Sequence, residues 1–237
     1  MRVFKKVFRS VVKNVVESVV KKVVKRVVKS VVGRTLLAGL VAISGSTGSA
    51  YAQPEADPTA GQQRAQTCVA CHGPAGISPV EAFPHLAGQQ MSYLAKQIQD
   101  IRDGKRIVPQ MMGMVDGFSD QDAWDVAAYY AEQQANLGHA RADDAALLAR
   151  GEALYRAGDS RLGVPACSAC HTPTGGGIGS AVYPAIAGQY PAYTVATLRA
   201  FASGDRTNDP NGSMHDIATK LSDDDMQAVA NYLFGLH

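Results

Sequence analysis

Two pentapeptides, Cys68-Val69-Ala70-Cys71-His72 and Cys167-Ser168-Ala169-Cys170-His171, take up all four cysteines of the chain. Each sets two sulfurs about one helical turn apart, with an imidazole beside the second. Any fold built on them must present two thiols and a ring to one object, and must do so twice. The two histidines lie 99 residues apart, and other pairs keep nearly that offset. Phe83-Pro84-His85-Leu86-Ala87-Gly88-Gln89 is answered by Tyr183-Pro184-Ala185-Ile186-Ala187-Gly188-Gln189, Tyr93 by Tyr193, Gly104 by Gly204, and MMGMVDGFSDQD by SMHDIATKLSDDD. Self-similarity of this kind marks a duplicated unit. We place the copies at residues 53–137 and 138–237, each roughly 80–90 residues of ordered repeat.

Residues 1–52 read as a targeting segment and are set apart from the fold. The run TLLAGLVAISG at 35–45 is too short to span a bilayer and suits a signal-peptide core, and Ala50-Tyr51-Ala52 follows as a cleavage pattern. Ahead of it, VVKNVVESVVKKVVKRVVKSVVGR repeats paired valines with basic residues. As a helix it would be amphipathic and cationic, suited to an anionic membrane surface. The plainer reading is an over-long basic region of the signal or an early start. The expectation is export to the periplasm, a mature chain from near Gln53, and an open question of peripheral membrane association.

Removing the leader reverses the charge balance. The whole chain is formally +2, but eleven basic residues and only one acid, Glu17, precede residue 35, which leaves 12 basic against 20 acidic residues and a balance of −8. That argues against a nucleic-acid partner and allows steering toward a basic protein surface. It also serves plain solubility.

Both units read as helical. QMSYLAKQIQDI places Met91, Leu94, Ala95, Ile98 and Ile101 on one stripe, ended by Gly104. Ser119 and Ser222, each followed by acids, read as N-caps of the helices that contain DAWDVAAYYAEQ and DMQAVANYLFG. The mature chain has no run of alternating β-branched residues, so the fold class is all-α. Units this small bury little apolar surface, and a large covalently held cofactor would complete each core.

C-x-x-C-H is a haem-attachment pattern. The sulfurs form thioethers with the vinyl groups on one porphyrin edge, and the next histidine reaches the iron. A four-cysteine zinc site would require the pairs to converge from separate repeats and leaves both histidines unused. A redox dithiol expects a βαβ setting, which is lacking, and local disulfides leave the histidines unexplained.

The repeat also orders the candidates for a second iron ligand, a methionine in low-spin electron-transfer haems. Met111 and Met214 each lie eight residues before their capping serine. Met114 competes with Met111, and His215 is a bis-histidine alternative to Met214. Met91, Met112 and Met226 read as packing residues. Pro84 follows His72 by twelve residues and Pro184 follows His171 by thirteen. A proline carbonyl can accept from the second ring nitrogen of each histidine.

The duplicated motifs, the FPxLAGQ-like loops, SDQD and GDRTNDPNGSM resemble the cytochrome c4 family, over essentially the whole mature chain. The resemblance implies two tandem class I cytochrome c-like domains related by pseudo-two-fold symmetry, each with one covalent haem c, and haems facing each other across the interface. It implies thioethers at Cys68, Cys71, Cys167 and Cys170, His72 and His171 as proximal ligands, and Met111 and Met214 as distal ligands. The Val/Lys leader departs from the family pattern.

The expected function is electron relay between a membrane respiratory donor complex and a terminal oxidase or reductase. With both irons held by two protein ligands, no position is open for substrate, so an enzyme is not expected. One alternative is the cytochrome subunit of a larger dehydrogenase, such as a flavocytochrome c sulfide dehydrogenase. A dihaem peroxidase is the other, and would need one open iron. No dinucleotide motif occurs, and Gly175-Gly176-Gly177 reads as a flexible loop. Trp124, Tyr129 and Tyr130 read as helix packing, and His85, His139 and His237 as solvated or locally bonded. Arg206 and Asn208 are placed at haem propionates or the domain interface by resemblance alone.

Overall fold

The computed structural model describes residues 17–26, 54–141 and 143–236. The apolar run at 35–45 and the cleavage pattern at Ala50–Ala52 lie outside the described residues. Residues 17–26 form an exposed helix, within a unit, Met1–Ala52, that is separate from Gln53–His237. No helix among the described residues is long and apolar enough to cross a membrane.

In the unit Gln53–His237 the described residues form helices and short 3-10 turns, with isolated bridges at Asp159–Val164 and Ile178–Tyr183 and no strand. The first repeat contains α1 (Pro58–Arg64), α2 (Val69–His72), α3 (Met91–Arg102) and α4 (Asp120–Ala131). The second contains α5 (Ala145–Ala157), α6 (Ser168–His171), α7 (Pro191–Ser203), α8 (Ser213–Ala218) and α9 (Asp223–Phe234). In the first repeat α4 packs on both α1 and α3, and in the second α9 packs on both α5 and α7.

The caps follow from the residues. Ser119 and Ser222 each accept from the backbone N–H three residues on, and Asp122 and Asp225 return the bond to the serine N–H. These are full capping boxes, with the carboxylates at the positive end of the helix dipole. Asp57 caps α1 through Thr59 and Ala60, and Asp144 caps α5 through Leu147.

Two cores result, one per repeat. The first gathers Ala65, Leu94, Ala95, Val115, Phe118, Val126, Ala127 and Tyr130. The second gathers Leu154, Tyr155, Leu198, Phe201, Ala218, Met226, Val229 and Leu233, among others. Met226 and Met91 pack as expected, but Met112 does not: it is 77% exposed, because it lies just beyond the 3-10 turn Pro109–Met111 rather than on a helix face.

A close helix crossing recurs in both repeats. A Cβ on Gly61 of α1 would lie 1.9 Å from the Asp125 carbonyl oxygen of α4, and one on Gly151 of α5 would lie 2.1 Å from that of Ala228 on α9. Backbone meets backbone there, so glycine is required by contact distance. The loop Gly175-Gly176-Gly177, read above as flexible, is a tight turn. Gly175 donates to Thr172 O at 3.1 Å, and its own carbonyl accepts from Ile186 and Ala187 at 2.7 and 3.2 Å. A Cβ on Gly177 would lie 2.4 Å from the Tyr183 oxygen.

Arg150 of α5 ties the second repeat together, reaching Asp159 at 2.9 Å and Asp225 at 2.7 Å. Arg161 and then Arg150 hold the Asp159 carboxyl below the usual carboxylate range. Burial pushes Asp225 up, but its bonds from Arg150 and Ser222 outweigh this and its pKa is also lowered.

Two tests follow. Gly61→Ala and Gly151→Ala should each lose about 1–3 kcal/mol by forcing two backbones apart, read as a lower denaturant midpoint at constant slope. For Arg150, folded-state carboxyl values below the unfolded ones mean stability that is present above the unfolded pKa and lost as pH falls through the folded values. Arg150→Met should therefore move the acid-unfolding midpoint, followed by circular dichroism, to higher pH. An unchanged midpoint would count against the ion-pair assignment.

Candidate functional site

Each C-x-x-C-H segment forms one turn of helix, α2 or α6, opened by its first cysteine and followed by a residue at positive φ, Gly73 at 76° or Thr172 at 66°. That turn brings both sulfurs and the histidine to one side of the chain. The left-handed residue then diverts the backbone into the loop that returns with the proline. At Gly73 a side chain is also barred by space, since a Cβ would lie 2.2 Å from Ile77 O.

His72 Nδ1 lies 2.9 Å from Pro84 O, and His171 Nδ1 lies 2.9 Å from Pro184 O. A carbonyl can only accept, so in both rings Nδ1 carries the proton and donates. Burial pushes both imidazoles below their ordinary pKa, and the proline carbonyls only partly oppose this. Both rings are therefore neutral near pH 7, with the Nε2 lone pair facing away from the proline. No protein group among the described residues hydrogen-bonds either Nε2.

The first cysteine of each motif sits against a core. Cys68 and Met111 pack on the first apolar cluster, and Cys167 and Met214 on the second. Met114 is 42% exposed and Met112 77%. Met111 ends the 3-10 turn Pro109–Met111, while Met214 lies on α8, so the two methionines share a register but not a local structure. Asp209 accepts from the Met214 N–H at 2.7 Å and thereby fixes the start of α8. His215 Nδ1 is engaged by Phe201 O at 2.7 Å.

These residues fit a haem and fit the competing chemistries poorly. Burial raises the Cys68 thiol pKa and pushes Cys167 up to about 11, the opposite of the depression that makes a reactive dithiol or a thiolate metal ligand. No cluster of three or more His, Cys, Asp or Glu residues suited to a metal ion occurs among the described residues, so the cysteine pairs do not converge on zinc. The buried Tyr130 hydroxyl has the Cys68 sulfur beside it and no nitrogen or oxygen partner.

The two repeats meet through a polar interface with mirrored contacts. Arg106 donates to Tyr193 OH at 3.1 Å, and Arg206 to Tyr93 OH at 2.9 Å. Gln97 accepts from Arg106, Arg206 and Asn208 at 2.9–3.0 Å. Asn208 also donates to Asp100, which pairs with Lys96. Burial would raise Tyr193, but the guanidinium groups of Arg106 and Arg206 prevail and bring it down to about 8. Arg206 and Asn208 therefore belong to the domain interface.

Of the two readings given for His85, solvated or locally bonded, the second holds, and what the sequence did not show is its burial against the other repeat. His85 is 6% exposed, not solvated: its ring lies 4.2 Å from that of Tyr190, its Nδ1 accepts from Ser78 N–H at 3.0 Å, and its Nε2 is buried without a partner. Its place directly after Pro84, opposite Ala185 in the other repeat, was the available signal. Tyr129 donates to Pro74 O at 2.9 Å, and Trp124 packs on the first core.

Comparison with known proteins agrees with this geometry. The family described as cytochrome c matches residues 148–236, and that described as cytochrome C oxidase, cbb3-type, subunit III matches residues 56–129. Cytochrome c4 of Pseudomonas aeruginosa is 47% identical over 203 residues, 85% of this chain and 98% of that protein. A thiosulfate dehydrogenase electron acceptor of Thiomonas intermedia is 38% identical over 170 residues, 71% of this chain and 78% of that protein. The crystal structure of reduced recombinant cytochrome c4 from Pseudomonas stutzeri has a TM-score of 0.72 at 44% identity, covering 77% of this chain and all of that one. The chain belongs to the cytochrome c4 family: two cytochrome c domains, two covalently bound haem c groups, and electron transfer without enzymatic turnover of a substrate.

Proposed function

We propose that His72 with Met111 holds one iron and His171 with Met214 the other, with Cys68, Cys71, Cys167 and Cys170 as the thioether anchors. The observation that carries this reading is the mirrored Nδ1 bond to Pro84 O and Pro184 O, which leaves each Nε2 free to ligate. A haem held in this way supplies one-electron Fe(II)/Fe(III) chemistry. The protein contributes the rest. The proline carbonyls set the tautomer and orientation of each imidazole, and the apolar clusters behind Cys68 and Cys167 exclude water. The methionine sulfurs supply a soft ligand that raises the potential. Two protein ligands per iron keep small oxidants out and confine each site to relay.

In this reading the domains run from 53 to 137 and from 138 to 237, and the protein works in the periplasm after removal of residues 1–52. Its partners are redox proteins, with a membrane respiratory complex as donor and a terminal oxidase or reductase as acceptor. A second reading is favoured by the thiosulfate dehydrogenase electron acceptor relative: the donor would then be an exported sulfur-compound dehydrogenase. The identity of that relative, 38%, is below the 47% of the cytochrome c4. A flavocytochrome subunit would need its flavin on a separate chain.

The ligand set is tested by carbon monoxide binding to the reduced protein. The parent protein should bind little, while Met111→Ala and Met214→Ala should each take up one equivalent and lower the potential of one haem. Met112→Ala and Met114→Ala should leave both haems unchanged, and uptake by Met114→Ala in place of Met111→Ala would reassign the first iron. Intact mass of protein from the periplasmic fraction should show a chain starting near Gln53 with the added mass of two haems. Retention of the Val/Lys leader would overturn the assignment of cleavage after Ala52.

A further inference from the structure

The interface contains a second mirrored pattern, which reaches the proline loops directly. Gln189 Oε1 accepts from His85 N–H at 3.0 Å, and its Nε2 donates to His85 O at 3.0 Å. Gln89 Oε1 accepts from Ala185 N–H at 2.7 Å, and its Nε2 donates to Ala185 O at 2.8 Å. Each glutamine thus closes a two-bond ring on the residue that follows the proline of the other domain. The side chains at positions 85 and 185 are an imidazole and a methyl group, yet the backbone pattern is the same. The pairing therefore serves the main chain and not those side chains.

The Pro84 carbonyl and the His85 N–H belong to one peptide group, as do the Pro184 carbonyl and the Ala185 N–H. In a trans peptide these two dipoles are aligned, so a bond accepted from the N–H enriches the carbonyl oxygen and strengthens the bond that oxygen accepts. That second bond is the one from His72 or His171 Nδ1. The glutamines are themselves anchored. Gln89 Oε1 also accepts from Gln90 N–H at 2.8 Å, and Gln189 Oε1 from Tyr190 N–H at 3.1 Å, at the starts of α3 and α7.

We infer that Gln89 and Gln189 are crossed positioning residues: each holds and polarises the peptide group that orients the proximal histidine of the opposite domain, and so sets the potential of the haem it does not belong to. This rests on the proposal that His72 and His171 are iron ligands. A stronger acceptor for Nδ1–H gives the imidazole more anionic character, which favours Fe(III). Loss of the glutamine should therefore raise the potential of the haem in the other domain.

The test uses the full dihaem protein, with haem-methyl NMR signals assigned to each domain during a redox titration. Gln189→Leu should raise the reduced-to-oxidised ratio of the N-terminal haem about threefold at fixed poise, about 30 mV for a one-electron couple, and leave the C-terminal haem near its parent value. Gln89→Leu should do the reverse. Hydrogen exchange should show protection lost at the His85 amide in the first variant and at the Ala185 amide in the second. Gln189→Glu keeps the acceptor for His85 N–H, so it should hold the N-terminal potential at or below the parent value, and it carries the test if the leucine variants do not fold. A shift in the haem of the substituted domain, equal shifts in both haems, or no shift in either would overturn the inference. Survival of the low-spin signals of the N-terminal haem in His72→Ala would instead remove the ligand assignment on which it rests.

Discussion

The hydrogen bond from each histidine Nδ1 to a proline carbonyl 12 or 13 residues later is the constraint on which the rest of this architecture depends. It closes a loop whose first arm carries the cysteines and whose second arm carries the FPHLAGQ or YPAIAGQ segment. Closing that loop requires the left-handed turn at Gly73 or Thr172 and the tight turns at Gly76 and Gly175. It also decides which imidazole nitrogen is free, and therefore which chemistry the site can support. Neutral rings, each beside a first cysteine whose thiol pKa is raised, suit covalent anchoring of a large apolar group far better than thiolate chemistry.

The proline loops are also where the two domains meet, so the orientation of His72 and His171 and domain pairing share the same backbone. Gln89 and Gln189 contact the residue after each proline, while Arg106 with Tyr193 and Arg206 with Tyr93 extend the mirrored contacts outward. The surrounding groups are polar and densely hydrogen-bonded, which fixes the register between the domains more specifically than apolar contact would. An interface of this kind holds two similar redox centres in one geometry. The repeats differ where symmetry is not needed: His85 is matched by Ala185, and a 3-10 turn at Met111 is matched by the helix that carries Met214.

Much of the fold was legible in advance because its signals are local. Capping serines, the apolar stripe of α3 and the duplicated motifs each act within a few residues, and periodicity reports them directly. The proline spacing was legible for the same reason, since both ends of that bond lie within one loop. Of the departures, only the burial of His85 under Tyr190 involves a contact distant in sequence. Met112 was read as a packing residue and is exposed, and His85, read as solvated or locally bonded, is locally bonded and buried under Tyr190. The three glycines after the second motif form a turn packed against Tyr183 and Pro184.

Composition, repeat and motif spacing were enough to specify two small helical units, one covalent haem for each, and the class of chemistry, because covalent attachment chemistry demands its residue types at short, fixed separations. Tertiary structure alone decided why Gly61 and Gly151 cannot carry a side chain and which side chains join one domain to the other. Those outcomes depend on approach between segments some 60 to more than 100 residues apart in the chain, as in the pairs Gly61 with Asp125 and His85 with Gln189. Neither hydrophobic period nor turn chemistry encodes which distant backbone will arrive at a given surface.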